Sequence, residues 1–384
     1  MKPNQPHKVR KFPRGIFIAI FLLIGIIGLI FMAYNQLRLA QENFGLSDPR
    51  LSLFQTVRYA WKLNHESIPL TSSTVNLVEE KKFTIQTAES VDSICGRLEA
   101  EKIVRSGESV CDYLIYSGKD RQIQAGTFTL EPNLVSLQIA NRIADPRAKD
   151  VLLTIFNGWR IEEIAESLES LGFTSFSSAG FVQSAYHPDN EILTMLELPP
   201  GTSLEGFLYP GTYSLRPEIS LRELFSVLTG EFLSKARQKE LVDGFSAQGL
   251  SFYQGLTLAS IIQRETQAST EMPKIASVFY NRLKADMRLE TDPTVQYSLG
   301  YDPAGQTWWK QSLTFSDLAT SSPYNTYQNS GLPPGPISNP GLDAIKAAAF
   351  PESTPDFYFR VNCDGSLTHI FAITYEEHLA NGCD

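Results

Sequence analysis

The first long apolar run, Gly15 to Tyr34 (GIFIAIFLLIGIIGLIFMAY), carries no charged residue. At about 20 residues it is long enough for a helix to cross ~30 Å of hydrocarbon. Beyond it, residues 35–81 are polar and mixed with no sustained period, which predicts a stalk. From Lys82 the pattern sharpens into alternating short strands and amphipathic helices. Strands are predicted at Phe83–Gln86, Ala125–Leu130 and Val151–Phe156. Helices are predicted over Val91–Val104, around Val110–Tyr116, over Leu134–Ile143 (ending before Asp145-Pro146), and where Ile161, Ile164, Leu168 and Leu171 keep helical spacing. Further helices are expected around Leu221–Leu241. Two more fall between Gly255 and Met287, the second with Ser269 or Thr270 as N-cap and Pro273 in its first turn. Between Leu289 and Gly341 the chain is dense in Pro, Gly, Asn, Tyr and Thr, and loops this long inside a folded domain usually line a site. A helix at Leu342–Ala349 and strands at Phe357–Val361 and His369–Ile373 close the pattern, which is that of an α+β protein.

Charge changes this picture at the N-terminus. Lys2, Lys8, Arg10, Lys11 and Arg14 precede the apolar run, and the first acidic residue is Glu42. The positive-inside rule then keeps residues 1–14 in the cytoplasm, lets 15–34 span the cytoplasmic membrane once, and exports the rest. A cleaved signal peptide would have a shorter apolar core and small residues at its end, whereas Tyr34, Gln36, Leu37 and Arg38 follow this one. Without the tail, 28 basic residues face 42 acidic ones, a balance of about −14 that repels phosphate backbones and speaks against nucleic-acid partners. Outside the membrane, Cys95, Cys111, Cys363 and Cys383 have spacings that suggest local disulfides, Cys95–Cys111 and Cys363–Cys383. Connectivity stays open at this point, and free buried thiols are the alternative.

Among chemistries, metal hydrolysis is disfavoured because five histidines form no H-E-x-x-H. There is no G-x-S-x-G elbow and no glycine-rich phosphate loop, so no metal or cofactor is expected. Carboxylates remain. Glu265, in Leu258-Ala-Ser-Ile-Ile-Gln-Arg-Glu-Thr266, shares a helix face with Leu258 and Ile261. A carboxyl on an apolar face is desolvated and held protonated near neutral pH, as a glycosidic general acid must be. An ordinary helical Glu beside Arg264 is the bland alternative. Glu290 and Asp292 (Arg288-Leu-Glu-Thr-Asp-Pro293) are further candidates for a hydrolase pair, although Asp-Pro is also ordinary turn chemistry. Tyr324-Asn-Thr-Tyr327 and Gly331-Leu-Pro-Pro-Gly335 offer aromatic and amide groups suited to sugars.

At these residues the chain resembles the endolytic murein transglycosylases, a YceG-like family. The resemblance is carried by A-S-I-I-x-x-E-T at Ala259–Thr266, A-S-V-F-x-N-R-L at Ala276–Leu283 and M-R-L-x-T-D-P-T-V at Met287–Val295. Y-N-T-Y at Tyr324–Tyr327 and G-L-P-P-G-P-I-x-N-P-G at Gly331–Gly341 extend it, in order, over roughly residues 82–384. It implies a membrane-anchored lytic transglycosylase with a small LysM-like α+β subdomain at 82–150 and a larger mixed α/β catalytic domain at 151–384. It places the single catalytic acid on Glu265; position 290 is not reliably acidic in similar proteins, so Glu290 recedes. Asp292, Tyr324, Asn325 and Glu205 become candidate substrate-binding residues. The implied partners are peptidoglycan glycan strands in the course of synthesis, the cytoplasmic membrane and the synthases that work there. Where similar proteins carry a second acid two positions before the catalytic one, this chain has Gln263. It also reads Gly211 in place of an Asp and Asn157 in place of a Glu, which leaves substrate positioning open. The rival readings are a muramidase-type hydrolase using Glu265 with Asp292, a glycan-binding module, and a scaffold for cell-wall synthesis.

Overall fold

The computed structural model describes residues 14–65, 70–71, 79–366 and 368–383, with side chains from residue 21 onward. The basic tail before Arg14 and the stalk positions 66–69 and 72–78 lie outside the described residues. The chain divides into two compact units, Met1–Asp150 and Val151–Asp384. Sixteen helices and three two-stranded antiparallel sheets make up the described part, a mixed α+β architecture.

In the first unit α1 (Arg14–Phe44) runs unbroken for 31 residues. Its stretch from Phe21 is long and apolar enough to cross a membrane, and Phe21, Leu22, Ile30 and Phe31 are all widely exposed. The same helix ends inside a protein core, where Ala40 and Phe44 are buried. α2 (Leu53–His65) packs back along it, and the Asn64 amide donates to the Gln36 carbonyl (2.9 Å) and to Gln36 Oε1 (2.7 Å). The expected stalk is therefore helical over these positions, and Ala60, Leu63 and Leu70 belong to the core of this unit. Thr56, Tyr59, Ala60 and Leu63 do fall on one helical face, but three of the four are small or partly polar. A hydrophobic count cannot register such a face.

Strand β1 (Lys81–Ile85) pairs with β2 (Gly126–Leu130), setting Phe83 opposite Phe128 beneath three helices: α3 (Val91–Ala100), α4 (Gly107–Ser117) and α5 (Ser136–Ala144). Ser90 and Ser106 cap α3 and α4 by accepting from Ser93 N and Ser109 N. A Cys95–Cys111 disulfide joins those helices, with Cα atoms 6.0 Å apart.

The second unit opens with β3 (Val151–Ile155), α6 (Ile161–Glu169), α7 (Ser178–Tyr186), α8 (Asn190–Met195) and β4 (Gly211–Leu215), the two strands pairing with each other. Next come α9 (Leu221–Ala236), α10 (Lys239–Ala247) and the axis of the unit, α11 (Phe252–Glu265). Ser251 starts α11 with a capping box to Gln254. Every residue from Gly255 to Ile262 is buried, so α11 is an interior helix rather than an amphipathic one. α12 (Met272–Lys284) follows with Pro273 in its first turn. Its N-cap is Glu271 rather than Ser269 or Thr270, with no side-chain cap bond.

Asp292-Pro293 opens helix α13 (Asp292–Leu299) instead of a free turn, since proline's fixed φ suits the first helical position. After α14 (Phe315–Leu318) the chain is irregular until α15 (Leu342–Ala349), which packs against α11 and α12. Strands β5 (Tyr358–Val361) and β6 (His369–Ala372) and helix α16 (Tyr375–Ala380) form a C-terminal cap. A Cys363–Cys383 disulfide closes this cap, with Cα atoms 5.4 Å apart.

Candidate functional site

Glu265 is the last residue of α11, after which the chain turns extended at Thr266. Its side chain emerges half-buried into an open cleft of about 380 Å³. One wall carries Arg282 from α12, Leu289, Glu290 and Thr291 from the following loop, Asp292 at the start of α13, and Tyr327. The other wall is the C-terminal cap, through Tyr358, Arg360, His369, Tyr375 and His378.

Burial pushes the Glu265 carboxyl up to about 7; the nearby Asp292 charge pushes the same way, while Thr291, Arg282 and Arg264 draw it down. The negative end of the α11 dipole, where Glu265 sits, also disfavours its ionised form. The Thr291 hydroxyl is buried and has no aligned hydrogen-bond partner, which leaves it available to the carboxyl and to a ligand. The other two acids of the cleft are held differently. Asp292 is exposed and accepts from the Tyr327 hydroxyl at 2.7 Å, and Glu290 is half-exposed and lies 3.4 Å from Arg282. Arg282 is nearly buried, and its Nε donates to Phe357 O (2.7 Å) and its Nη1 to Leu289 O (2.8 Å). It ties the cap to the loop that carries Thr291.

That loop is fixed from behind. Thr291 N donates to Thr326 Oγ1 (3.1 Å), and Thr326 Oγ1 shares a 2.8 Å bond with Thr294 Oγ1, so the Tyr324–Tyr327 turn is laced to the start of α13. Asn325 is fully buried: its amide donates to Leu318 O (3.0 Å) and Thr320 O (2.8 Å), and its Oδ1 accepts from Tyr327 N (2.9 Å). The proline-rich loop is pinned to α11, since Ser260 Oγ accepts from Ile337 N (3.0 Å) and Gln263 Oε1 accepts from Gly341 N (3.0 Å).

Of the residues expected to bind substrate, Glu265 and Asp292 share the cleft, whereas Glu205, Tyr324 and Asn325 are not among its lining. Glu205 is 1% exposed and accepts from Asn339 Nδ2 (3.2 Å), Ile161 N (3.3 Å) and the Tyr297 hydroxyl (3.4 Å). Burial pushes its carboxyl up to about 8, against the pull of Arg160. Asn339 is also fully buried. It accepts from Leu208 N (2.8 Å) and donates to Trp159 O (3.0 Å), joining the Asn157–Trp159 segment to the Glu205 turn. Tyr324 packs against Tyr297 with ring centroids 4.9 Å apart. Of the two departures, Asn157 adjoins this joint, and Gly211 pairs with Ile155 at the start of β4. A short polar residue in a turn-rich motif predicts sugar contact and internal lacing equally well, and in this structure Glu205 and Asn325 lace loops together while Tyr324 packs on Tyr297. Residues missed in the sequence are Arg282 and Thr291, both inside recognised motifs, and the whole cap wall, whose only sequence signals were two strands and a cysteine pair.

Residues 83–382 match the model of the YceG-like family. The chain belongs to that family. Among its curated YceG-like relatives, a Bacillus subtilis protein named endolytic murein transglycosylase is 29% identical over 314 residues, 77% of this chain and 82% of the relative. A Streptococcus pneumoniae protein of the same name is 27% identical over 321 residues, and the match spans 57% of its length. A yceG-like protein of Listeria monocytogenes, known from a 2.6 Å crystal structure, superposes with a TM-score of 0.51 at 30% identity, covering 79% of this chain and 99% of that one. Among the described residues of this YceG-like chain no group of three or more His, Cys, Asp or Glu side chains is arranged to hold a metal ion.

Proposed function

We propose that the chain is a lytic transglycosylase that cuts MurNAc–GlcNAc bonds within peptidoglycan strands, with Glu265 as its acid and base. The observation that carries this reading is one carboxyl, held near pKa 7 by burial, opening into a cleft whose other acids are exposed and paired. Protonated Glu265 gives its proton to the oxygen that leaves with the GlcNAc, as the bond from MurNAc C1 breaks. The C6 hydroxyl of the same MurNAc attacks C1, and the Glu265 carboxylate takes its proton. The product is a 1,6-anhydroMurNAc end, and the residue returns to its starting state without a second acid. The names of the relatives support the reaction class.

The layout we infer is a retained single-span anchor with the N-terminus in the cytoplasm, a LysM-like glycan-binding subdomain at 82–150 and the catalytic domain at 151–384, both outside. α1 continues from its apolar stretch into the core of the first unit, which favours an anchor over a removable leader. Cleavage of strands still being made, beside their synthases, follows from that placement.

Mass spectrometry of products from purified peptidoglycan, with the Glu265→Gln protein alongside, tests the function. Anhydro ends from the wild type alone support it. Reducing ends would move the reading to a hydrolase using Asp292 and a water. Binding without cleavage by wild-type protein embedded in membranes and given nascent strands would leave a glycan-binding module or a scaffold.

A further inference from the structure

Every charged group in the cleft but one is matched by a partner or by its own protonation. Glu290 lies beside Arg282, Asp292 holds the Tyr327 hydroxyl, and Glu265 sits near pKa 7. His369 Nδ1 is 2.9 Å from Glu271 Oε2, and burial together with Arg360 and Arg282 lowers the pKa of His378, favouring its uncharged form. The exception is Arg360. It stands on β5, two residues from Tyr358, so both side chains leave the same face of the strand, and both line the cap wall. Its one hydrogen bond runs from Nη1 to the His378 carbonyl near the end of α16, at 3.4 Å, and among the described residues no carboxylate pairs with it. One Nη1 bond fixes the guanidinium's direction and leaves its Nε and Nη2 edge free for the two-point contact that a carboxylate accepts. Beside it, His378 Nδ1 is also buried without a partner, stacked against Tyr358 at 5.4 Å.

The position matters as much as the charge. Arg282 stands on the wall that carries Thr291 and Asp292, whereas Arg360 belongs to the cap strand that forms the other wall of the cleft. A peptidoglycan strand is uncharged along its sugar backbone. Its carboxylates lie on the peptide stems hung from MurNAc, or on the lactyl group when the stem has been removed.

We propose that Arg360 is a specificity residue that binds a stem-peptide carboxylate, so that the cleft distinguishes strands bearing peptides from bare glycan. This rests on the function proposed above and is tested by binding, so that it stands or falls apart from the chemistry. Full-length Glu265→Gln protein in detergent is titrated calorimetrically with glycan oligomers carrying stem peptides, and with the same oligomers stripped by an amidase that leaves the lactyl carboxylate. The titration is repeated with Arg360→Gln and Arg360→Lys added. The expected result is a Kd about tenfold weaker for peptide-bearing oligomers with Arg360→Gln, roughly 1.4 kcal/mol, with part of it restored by lysine. For stripped oligomers the change should stay within about twofold. Equal weakening toward both oligomers would assign Arg360 to the lactyl carboxylate and overturn the proposal, as would no weakening toward either. A Glu265-containing protein that releases no anhydro ends would instead refute the reaction and leave this test intact.

Discussion

Replacing Glu265 by glutamine keeps the shape and removes the proton chemistry. The structure sets the size of two separate effects. A general acid contributes about 10²- to 10⁴-fold, so cleavage should fall at least a hundredfold. The second effect is on stability. Glu265 has an ordinary value of 4.5 and is pushed up to about 7 by burial, so the fold favours its protonated form. Relative to the unfolded chain that contribution is fully present below about pH 4.5 and is lost as pH rises through 7. The difference corresponds to about 3 kcal/mol as an upper bound. Glutamine lacks this titration, so the variant should gain on the wild type as pH rises. Glu205, pushed up to about 8, is present in both proteins and cancels. For a unit of this size, 1 kcal/mol moves the melting temperature by about 2–4 °C, so the Tm advantage of Glu265→Gln should grow by up to ~6–12 °C between pH 4.5 and pH 8.5. Differential scanning calorimetry of both full chains in detergent gives the answer. A Tm difference independent of pH would refute the desolvated carboxyl, whatever the activity does. With the wild type, kcat/KM should fall above about pH 7 as the acid form is depleted.

Three further outcomes follow from the same geometry. Asp292→Asn removes a charge that raises the Glu265 pKa, so the alkaline limb of the pH profile should move to lower pH and activity at pH 7 should drop less than about tenfold; a loss above a hundredfold would make Asp292 a second essential carboxylate. Asn339→Ala leaves Leu208 N without its acceptor and Glu205 without one donor, in a fully buried place. A destabilisation of about 2–4 kcal/mol is expected, measured as a Tm drop with the pH limb unmoved. Replacing both Cys363 and Cys383 by serine opens a link across 20 positions that closes the cap, roughly 3 kcal/mol by the chain-entropy account. KM should rise, since the cap forms one wall of the cleft, and an unchanged KM would show that the cap does not touch substrate.

The periodic segments of the fold were legible in the sequence because one face of each meets a core. The predicted helix over Leu134–Ile143 and the strand at Val151–Phe156 appear within a residue or two of their places as α5 and β3. Elements built on small or mixed residues were not legible: α2 buries Ala60 and Leu63 behind threonine and tyrosine, and α13 begins at an Asp-Pro pair that equally signals a turn. In the site, the apolar helix face made Glu265 a candidate beside an ordinary helical Glu, and the resemblance at Ala259–Thr266 is what placed the acid there. The cap wall could not be singled out, because Tyr358, Arg360, Tyr375 and His378 come together only through the β5–β6 pairing and the Cys363–Cys383 link, which no local pattern encodes.

Two glutamates in the second unit are raised by burial, Glu205 to about 8 and Glu265 to about 7, and the more perturbed of them is not the better acid. Glu205 is sealed behind Asn339, Ile161 and Tyr297, each of which already donates to it. No glycosidic oxygen could come within hydrogen-bond reach of it without dismantling those bonds. Glu265 is half-buried, stands beside the Thr291 hydroxyl, and opens into the cleft. Desolvation sets the proton affinity, but only a residue at the edge of the interior can hand the proton on. α11 supplies that edge by burying its sides and ending in the cleft, so that its last carboxyl has the electrostatics of the core and the access of a surface. On this argument Glu205→Gln should keep the pH limb set by Glu265 while changing stability. A pH limb that moved with Glu205 would transfer the acid's role to the wrong side of the wall and undo the assignment.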